Sequence, residues 1–179
     1  MKTPLEVYLE HGIDLENRRI FFQGDVDENS VARVIKALFA MGSSKPIQIV
    51  ISSCGGCDDS MFALYDVIQS METEVKTIAH GGVYSAAVLL AACGDVRVAY
   101  PNTAWMVHET SIGEEGKVPE VRKYVDWMES RTRTWCELMA QHSKLNIGQW
   151  RRMISKNHDV YFGADPALEY GIIDEVIGQ

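Results

Sequence analysis

The chain has 179 residues, of which 23% are charged and 46% hydrophobic, and its formal net charge at pH 7 is −8. This length fits one domain, 1–179, with a core of its own, and the composition is that of an ordered globular protein. Because the sequence contains no Lys/Arg run or basic stripe, nucleic acids and anionic membranes are not expected as partners.

Hydrophobic patterning also argues against export and membrane insertion. The longest apolar run, 86–93, is about half of the ~20 residues that a membrane-spanning helix needs. The N-terminal residues have no apolar stretch of the kind found in signal peptides. We therefore expect a cytoplasmic protein whose cysteines are reduced thiols: Cys54, Cys57, Cys93 and Cys136.

In chain order, the apolar pattern predicts short strands that alternate with helices. No element is predicted for a short N-terminal segment, 1–18. Strands rich in β-branched and aromatic residues are then expected at 19–23, 47–51 and 75–79, and helices at 29–41, 61–71 and 85–93. The remaining residues predict strands at 96–99 and 105–107, a long charged helix at 119–141, and two helices at 147–155 and 165–170.

This alternation indicates an α/β fold with a mostly parallel sheet. In such sheets, ligands bind at the carboxyl ends of the strands. Two Gly-Gly pairs follow predicted strands at that end, Gly55-Gly56 and Gly81-Gly82. The architecture therefore directs attention to residues 54–56 and 81–85.

Ser85 is a candidate nucleophile because it stands at a predicted strand-to-helix turn. A serine nucleophile needs a base within hydrogen-bond reach, a group that orients the base, and backbone N–H donors for the oxyanion. The first N–H groups of a helix have no intrahelical partner, so Ala86 is one candidate donor. Gly56 is a second, because glycine lets a substrate approach the backbone closely.

His108 is the candidate general base, since it follows the predicted strand 105–107 at its carboxyl end. Two carboxylates are candidates to orient it, Glu109 beside it and Asp159 in the polar stretch between the last two helices, and spacing does not choose between them. Each residue also has a structural interpretation, because a serine that opens a helix is usually an N-cap. The Gly-x-Ser-x-Gly elbow of the α/β-hydrolases is absent.

Several blocks, in the same order, resemble a known family. They are Ser52-Ser53-Cys54-Gly55-Gly56, Tyr65-Asp66, Gly81-Gly82-Val83-Tyr84-Ser85-Ala86-Ala87, Pro101-Asn102-Thr103, Met106-Val107-His108, Glu137-Leu138-Met139-Ala140-Gln141-His142, and the run 164–174. Over residues 19–176, nearly the whole chain, the sequence resembles the proteolytic subunit of the Clp protease.

The resemblance implies roles for individual residues. It makes Ser85 the nucleophile and His108 the general base, and it favours Asp159 over Glu109 as the third member of the triad. It also places the oxyanion donors at Gly56 and Ala86, in agreement with the helix-terminus argument. The implied activity is hydrolysis of peptide bonds, with no cofactor and no metal ion.

The resemblance further implies the fold and the partners. The fold is a crotonase/ClpP-like stack of ββα/βαβ units, with the helix 119–141 as a long protruding handle that joins two heptameric rings. Polypeptide substrates are fed into the chamber of this homo-oligomer by a separate AAA+ unfoldase, since the chain has no Walker motif.

Departures from the family pattern predict a divergent or phage-type member. Cys54 replaces a proline, Ala87 replaces a glycine, and Glu109-Thr110 replaces Gln-Pro. Cys54 and Cys57 also form a Cys-x-x-Cys motif, which elsewhere marks redox or zinc chemistry, but the chain has no second close pair to complete a four-ligand zinc site. Two rival hypotheses remain, a catalytically silent subunit and a crotonase-fold acyl-CoA enzyme.

Overall fold

The computed structural model describes residues 3–155 and 158–179, which form one eight-stranded sheet and seven helices. The strands are β1 (Ile13–Asp14), β2 (Arg19–Val26), β3 (Ile47–Gly56), β4 (Val75–Tyr84), β5 (Val96–Ala99), β6 (Ala104–Val107), β7 (Val160–Phe162) and β8 (Glu175–Val176). The helices are α1 (Pro4–His11), α2 (Glu28–Met41), α3 (Asp58–Ser70), α4 (Ala86–Ala92), α5 (Val118–Gln141), α6 (Ile147–Ile154) and α7 (Ala164–Glu169).

The sheet is mostly parallel, which confirms the predicted α/β class. Its main path runs β1-β2-β3-β4-β5-β8, and the pairs from β2 to β8 along this path are parallel. The long strand β4 pairs with β5 through its first half and with β6 through its second half. Two antiparallel pairs, β1 with β2 and β6 with β7, complete the sheet.

Strands β3 and β4 extend past the ends that the sequence predicted. The register moves from Ile51↔Ala79 to Ser53↔Val83, so β4 carries extra residues between these pairs. Gly81, with φ +62°, lies in this irregular stretch. The expectation that Gly81-Gly82 ends the strand was wrong because glycines also accommodate bulges, after which pairing continues.

The core lies between the sheet and the helices that follow its strands. Every residue of α4, from Ala86 to Ala92, is buried. Helix α2 buries Val31, Val34 and Leu38 on one face, as its predicted periodicity required. The short helix α4 is thus part of the core, and it begins at the carboxyl end of β4, directly after Ser85.

Helix α5 confirms the predicted long helix that protrudes from the domain. Its 24 residues correspond to about 36 Å. Within α5, only Cys136 and Met139, both near its C-terminal end, are buried. Trp127, nearer its middle, is 54% exposed and Val118, at its start, is 70% exposed. The helix is therefore anchored at its C-terminal end.

Two parts of the structure were missed by the sequence analysis. The segment 1–18, to which it assigned no element, contains α1 and β1, and a capping box between Thr3 and Glu6 begins α1. The polar stretch around Asp159 leads into β7, which pairs with β6. Among the described residues, no helix is long and apolar enough to cross a membrane.

Candidate active site

Ser85 occupies the turn between β4 and α4 in a strained conformation. Its φ is 53° and its ψ is −123°, a region that residues with a side chain rarely adopt. Its backbone N–H donates a 2.8 Å hydrogen bond to the Met106 carbonyl of β6. Ser85 takes the N-cap position but makes no capping hydrogen bond with its side chain, which is therefore left for another partner.

Gly55 makes room for this turn. Its φ is +87°, and a Cβ atom added there would lie 2.7 Å from both Ser85 Cβ and the Tyr84 carbonyl oxygen. Only glycine satisfies both the backbone conformation and this contact. The end of β3 therefore packs directly against the candidate nucleophile.

His108 lies one residue beyond β6, and its Nε2 is 2.7 Å from Ser85 Oγ. This is the distance of a good hydrogen bond between a hydroxyl and an imidazole nitrogen. The two residues come from different strand ends, and the parallel pairing of β4 with β6 brings those ends together. The structure thus joins the nucleophile and base that the sequence predicted.

The segment after His108 is tied to helix α5. Thr110 Oγ1 and Thr132 Oγ1 are 2.7 Å apart, and Thr132 Oγ1 also donates to the Met128 carbonyl at 3.0 Å. This contact fixes the chain two residues after the candidate base. Helix α5 therefore holds the segment that follows His108.

Gly56 and Ala86, the predicted oxyanion donors, line the same cavity as Ser85 and His108. The cavity has a volume of about 250 Å³. Ala86 is the first residue of α4, so its N–H has no partner within the helix. Gly56 has φ +148°, and a Cβ atom there would lie 2.4 Å from the Val26 carbonyl oxygen, so glycine is required here as well.

Asp159 lies opposite His108 but is not bonded to it. The β6–β7 register pairs Val107 with Val160, which places residues 108 and 159 across from each other just beyond the ladder. The Asp159 side chain is exposed and accepts a 3.3 Å hydrogen bond from the Tyr161 hydroxyl. Within residues 3–155 and 158–179, no hydrogen bond or ion pair joins Asp159 to His108.

Glu109, the other predicted carboxylate, faces a different cavity. It is exposed and lines that cavity together with Arg133 and Arg151. The cavity that contains Ser85 and His108 is lined by neither Glu109 nor Asp159. Of the two carboxylates, Asp159 is the one that the sheet register places across from His108.

The sequence analysis missed the walls of the cavity. Helix α5 contributes Tyr124, Met128, Arg131 and Trp135, and the first turn of α3 contributes Asp58 and Asp59. The position of α3 directly after Gly55-Gly56 was a usable signal for the two aspartates. The contribution of α5 arises only from tertiary packing.

The charged groups of the cavity form one cluster. Arg131 donates to Asp59 Oδ1 at 2.8 Å, and its guanidinium carbon lies 3.9 Å from the centre of the Phe62 ring. Burial raises the pKa of the half-buried Asp58 carboxyl, while the charges of Arg131 and His108 oppose this shift. Asp58 is therefore a partly desolvated acid close to the candidate catalytic pair.

The two cysteines of the Cys-x-x-Cys motif are exposed, free thiols, and Cys57 lines the cavity. Within the described ranges, no group of three or more His, Cys, Asp or Glu side chains could hold a metal ion. Cys57 also precedes α3 as its N-cap residue. The motif therefore reaches the candidate active site through Cys57.

Comparisons with known proteins identify the family of the chain. A protein-family match described as Clp protease covers residues 8–179. An ATP-dependent Clp protease proteolytic subunit 1 of Bifidobacterium longum is 34% identical over 98% of this chain and 78% of its own length. The corresponding subunit 1 of Streptomyces coelicolor is 33% identical over 91% of this chain and 76% of its own length.

A third relative, an ATP-dependent Clp protease proteolytic subunit 2 of Treponema pallidum, is 31% identical over 91% of this chain and 83% of its own length. These matches span the sheet, the Ser85 turn and the C-terminal strands, and they confirm the resemblance found in the sequence blocks. The parallel sheet, the paired Ser85 and His108, and these relatives lead to one conclusion: the chain belongs to the Clp protease family.

Proposed function

We propose that the protein is a serine endopeptidase in which Ser85 attacks the peptide carbonyl and His108 accepts its proton. The observation that carries this proposal is the 2.7 Å contact between Ser85 Oγ and His108 Nε2 at the edge of a cavity. Family membership supports a peptidase. The strained backbone of Ser85 supports a functional role, since such conformations cluster at active sites.

The mechanism follows from the positions of these groups. His108 Nε2 takes the proton of Ser85 Oγ as Oγ forms a bond to the carbonyl carbon. The N–H groups of Gly56 and Ala86 stabilise the resulting oxyanion. His108 then returns the proton to the amine nitrogen as the C–N bond breaks, and a water molecule hydrolyses the acyl-enzyme by the same steps.

Asp159 is the proposed third member of the triad. Its place opposite His108 across the end of the β6–β7 ladder supports this role. A rotation of its side chain away from Tyr161 would let the carboxylate accept a hydrogen bond from His108 Nδ1–H. That bond would orient the imidazole and stabilise its protonated form.

We also propose an assembly of two heptameric rings, fed by a separate AAA+ ATPase. The relatives are named proteolytic subunits of an ATP-dependent protease, which supports a division of labour between two polypeptides. The exposed apolar side chains Val118 and Trp127 of α5 fit a contact between rings.

One observation favours a second candidate, a catalytically silent subunit of such an assembly. The Asp159 carboxylate is bonded to Tyr161 rather than to His108. A triad without its acid loses most of its rate, by ~10⁴-fold in a well-studied serine protease. The two candidates differ in whether the assembled protein hydrolyses peptides.

Hydrolysis of short fluorogenic peptides by the assembled protein tests the proposal. We expect Ser85→Ala and His108→Ala to abolish turnover, and Asp159→Asn to lower kcat by ~10³–10⁴-fold. Glu109→Gln is the matched control, because it also neutralises a carboxylate near His108, and it is expected to retain activity.

Three outcomes would contradict the proposal in different ways. Assembly without turnover of any peptide would favour the silent subunit. A large loss of peptide hydrolysis in Glu109→Gln, with none in Asp159→Asn, would assign the third position of the triad to Glu109 and not to Asp159. Hydrolysis of an acyl-CoA thioester that survives Ser85→Ala would favour the acyl-CoA enzyme.

A further inference from the structure

The cavity beside Ser85 has the size and the composition of a subsite for one side chain. Its volume of about 250 Å³ lies below the range of pockets for drug-sized ligands. Apolar and aromatic groups line much of it, from Val107, Tyr124, Met128, Trp135 and Ile154. Its charged groups come from Asp58, Asp59 and Arg131.

The single cation of this lining is already engaged. The Arg131 guanidinium donates to Asp59 at 2.8 Å and stacks 3.9 Å above the Phe62 ring. Its side chain is only 19% exposed. This ion pair engages one of the two carboxylates directly, so the formal charges of Asp58, Asp59 and Arg131 leave a net negative charge in the cavity, with Asp58 as the carboxylate outside the ion pair.

Asp58 lacks a direct partner. Among the described residues, no hydrogen bond or ion pair shorter than 4 Å reaches its carboxylate, although the charge of Arg131 acts on it from farther away. The side chain is half-buried at the first position of α3. A cation that enters the cavity would supply the direct partner that this partly desolvated carboxylate lacks.

We propose that Asp58 makes this cavity select a lysine or arginine side chain of the substrate, next to the peptide bond that Ser85 attacks. A long basic side chain combines an aliphatic stem, which fits the apolar walls, with a cationic head that pairs with Asp58. A glutamate would meet repulsion, and a leucine would bury Asp58 without a partner. This inference rests on the proposed peptidase function and names its substrate class.

The test compares fluorogenic peptides that differ only in the residue before the scissile bond: lysine, arginine, leucine or glutamate. For the wild type we expect kcat/KM for the basic peptides to exceed that for leucine by at least ~10-fold. Asp58→Asn keeps the shape of the side chain and removes its charge. It should lower kcat/KM for the basic peptides by ~10- to 100-fold and raise that for the leucine peptide by up to ~10-fold, because leucine no longer buries an unpaired charge.

Asp66→Asn is the matched control, because Asp66 is an exposed aspartate of the same helix outside the cavity. It should leave the order of preference unchanged. Labelling of Ser85 with a small fluorophosphonate, which carries no peptide side chain, is measured on the same preparations. It reports the reactivity of Ser85 independently of the cavity.

Labelling separates the failure of the two proposals. Two results in protein that labels at Ser85 would overturn the role of Asp58. One is a wild type that prefers the leucine peptide, and the other is a preference for basic peptides that is retained in Asp58→Asn. A preference for glutamate would instead assign the specificity to Arg131, whose buried Nε has no hydrogen-bond partner among the described residues. Protein that neither labels nor cleaves any peptide would overturn the peptidase proposal, and the specificity with it.

Discussion

At the scale of single residues, the candidate site depends on two backbone positions that only particular residues tolerate. Ser85 holds a positive φ of 53° although it carries a side chain. The hydrogen bond from its N–H to the Met106 carbonyl and the close approach of Gly55 hold it in that conformation. The strain directs the hydroxyl to His108 and away from the helix start that it would otherwise cap.

Substitution of Gly55 should disable the site. A Cβ atom in Gly55→Ala would lie 2.7 Å from Ser85 Cβ at a φ of +87°, so the turn must move. We expect loss of peptide hydrolysis and a fall in stability of about 1–3 kcal/mol, measured by urea unfolding. Gly113→Ala is the control, because no atom lies within 4 Å of the added Cβ, and activity and stability should match the wild type. Full activity in Gly55→Ala would contradict the packing argument.

Tyr161 should restrain Asp159. Tyr161→Phe keeps the ring, including its edge-on contact with Tyr84 at 6.2 Å, and removes the hydroxyl that donates to Asp159. The carboxylate is then free to turn to His108, and kcat for peptide hydrolysis should rise by ~2- to 10-fold, which is the rate change that corresponds to the net free energy of one hydrogen bond. A fall in kcat would mean that the Tyr161 hydroxyl holds Asp159 in its productive place.

The candidate catalytic residues were more predictable than the pocket around them. Ser85 and His108 each follow a strand in a predicted parallel sheet, so the carboxyl-end rule places them together. Asp58 and Arg131 belong to helices far apart in sequence, and no local pattern tells that these helices meet over one cavity. The choice of Asp159 over Glu109 required the resemblance to the Clp protease family, because β7, the strand that follows Asp159, has three residues and no strong sequence pattern of its own.

At the scale of elements, helix α5 has two roles. Its start, at Val118, is exposed, while residues from Tyr124 to Trp135 form a wall of the cavity, and Thr132 holds the segment after His108 through its contact with Thr110. A change that moves α5 would therefore reach the candidate base. A contact between the exposed start of α5 and another molecule could shift the helix and, through Thr132, the segment that follows His108.

Loss of the threonine contact should weaken catalysis without unfolding the protein. Thr132→Val keeps the shape of the side chain and removes its hydroxyl, so residue 110 loses its anchor on α5. We expect kcat for peptide hydrolysis to fall by ~3- to 10-fold. Thr134→Val is the control, since the one hydrogen bond that the Thr134 hydroxyl makes within the described part of the chain is to the Ser130 carbonyl of its own helix. Equal effects of the two changes would contradict a specific role for the Thr110–Thr132 pair.

The elements that sequence analysis misplaced show where local signals fail. The bulge near Gly81 hides the continuation of β4, because glycine marks both bulges and strand ends. Helix α1 had a visible signal, the Thr3-Pro4-x-Glu6 capping box, that was not used. The long helix was predicted with bounds of 119–141 against the observed Val118–Gln141, because charge and periodicity are sustained over its length.

At the scale of the whole molecule, one polar network joins the C-terminal end of α5 to distant parts of the chain. The His142 side chain is 3.0 Å from the Tyr65 hydroxyl of α3, and its carbonyl accepts a hydrogen bond from Arg97 of β5. Arg97 also pairs with Asp174 near the C-terminus. The base of α5 is thereby fixed to the sheet and to α3.

This network should make stability depend on pH through His142. Burial lowers the pKa of His142, and the Arg97 charge lowers it further. A histidine with a lowered pKa contributes stability above its unfolded-state value of about 6.5, and that contribution is lost as pH falls through the folded-state pKa. In urea unfolding, the free energy of unfolding should fall from pH 7.5 to pH 5.5, and His142→Gln should show a smaller fall. Equal falls in both proteins would contradict this role of His142.

The central claim is that Ser85 is an activated nucleophile with His108 as its base, and fluorophosphonate labelling tests it most directly. Intact mass and peptide mapping of the assembled protein should show one adduct, located on Ser85, that is absent in Ser85→Ala and lost or greatly slowed in His108→Ala. Absence of an adduct on Ser85 in the assembled wild-type protein, or labelling of equal rate in His108→Ala, would contradict the claim.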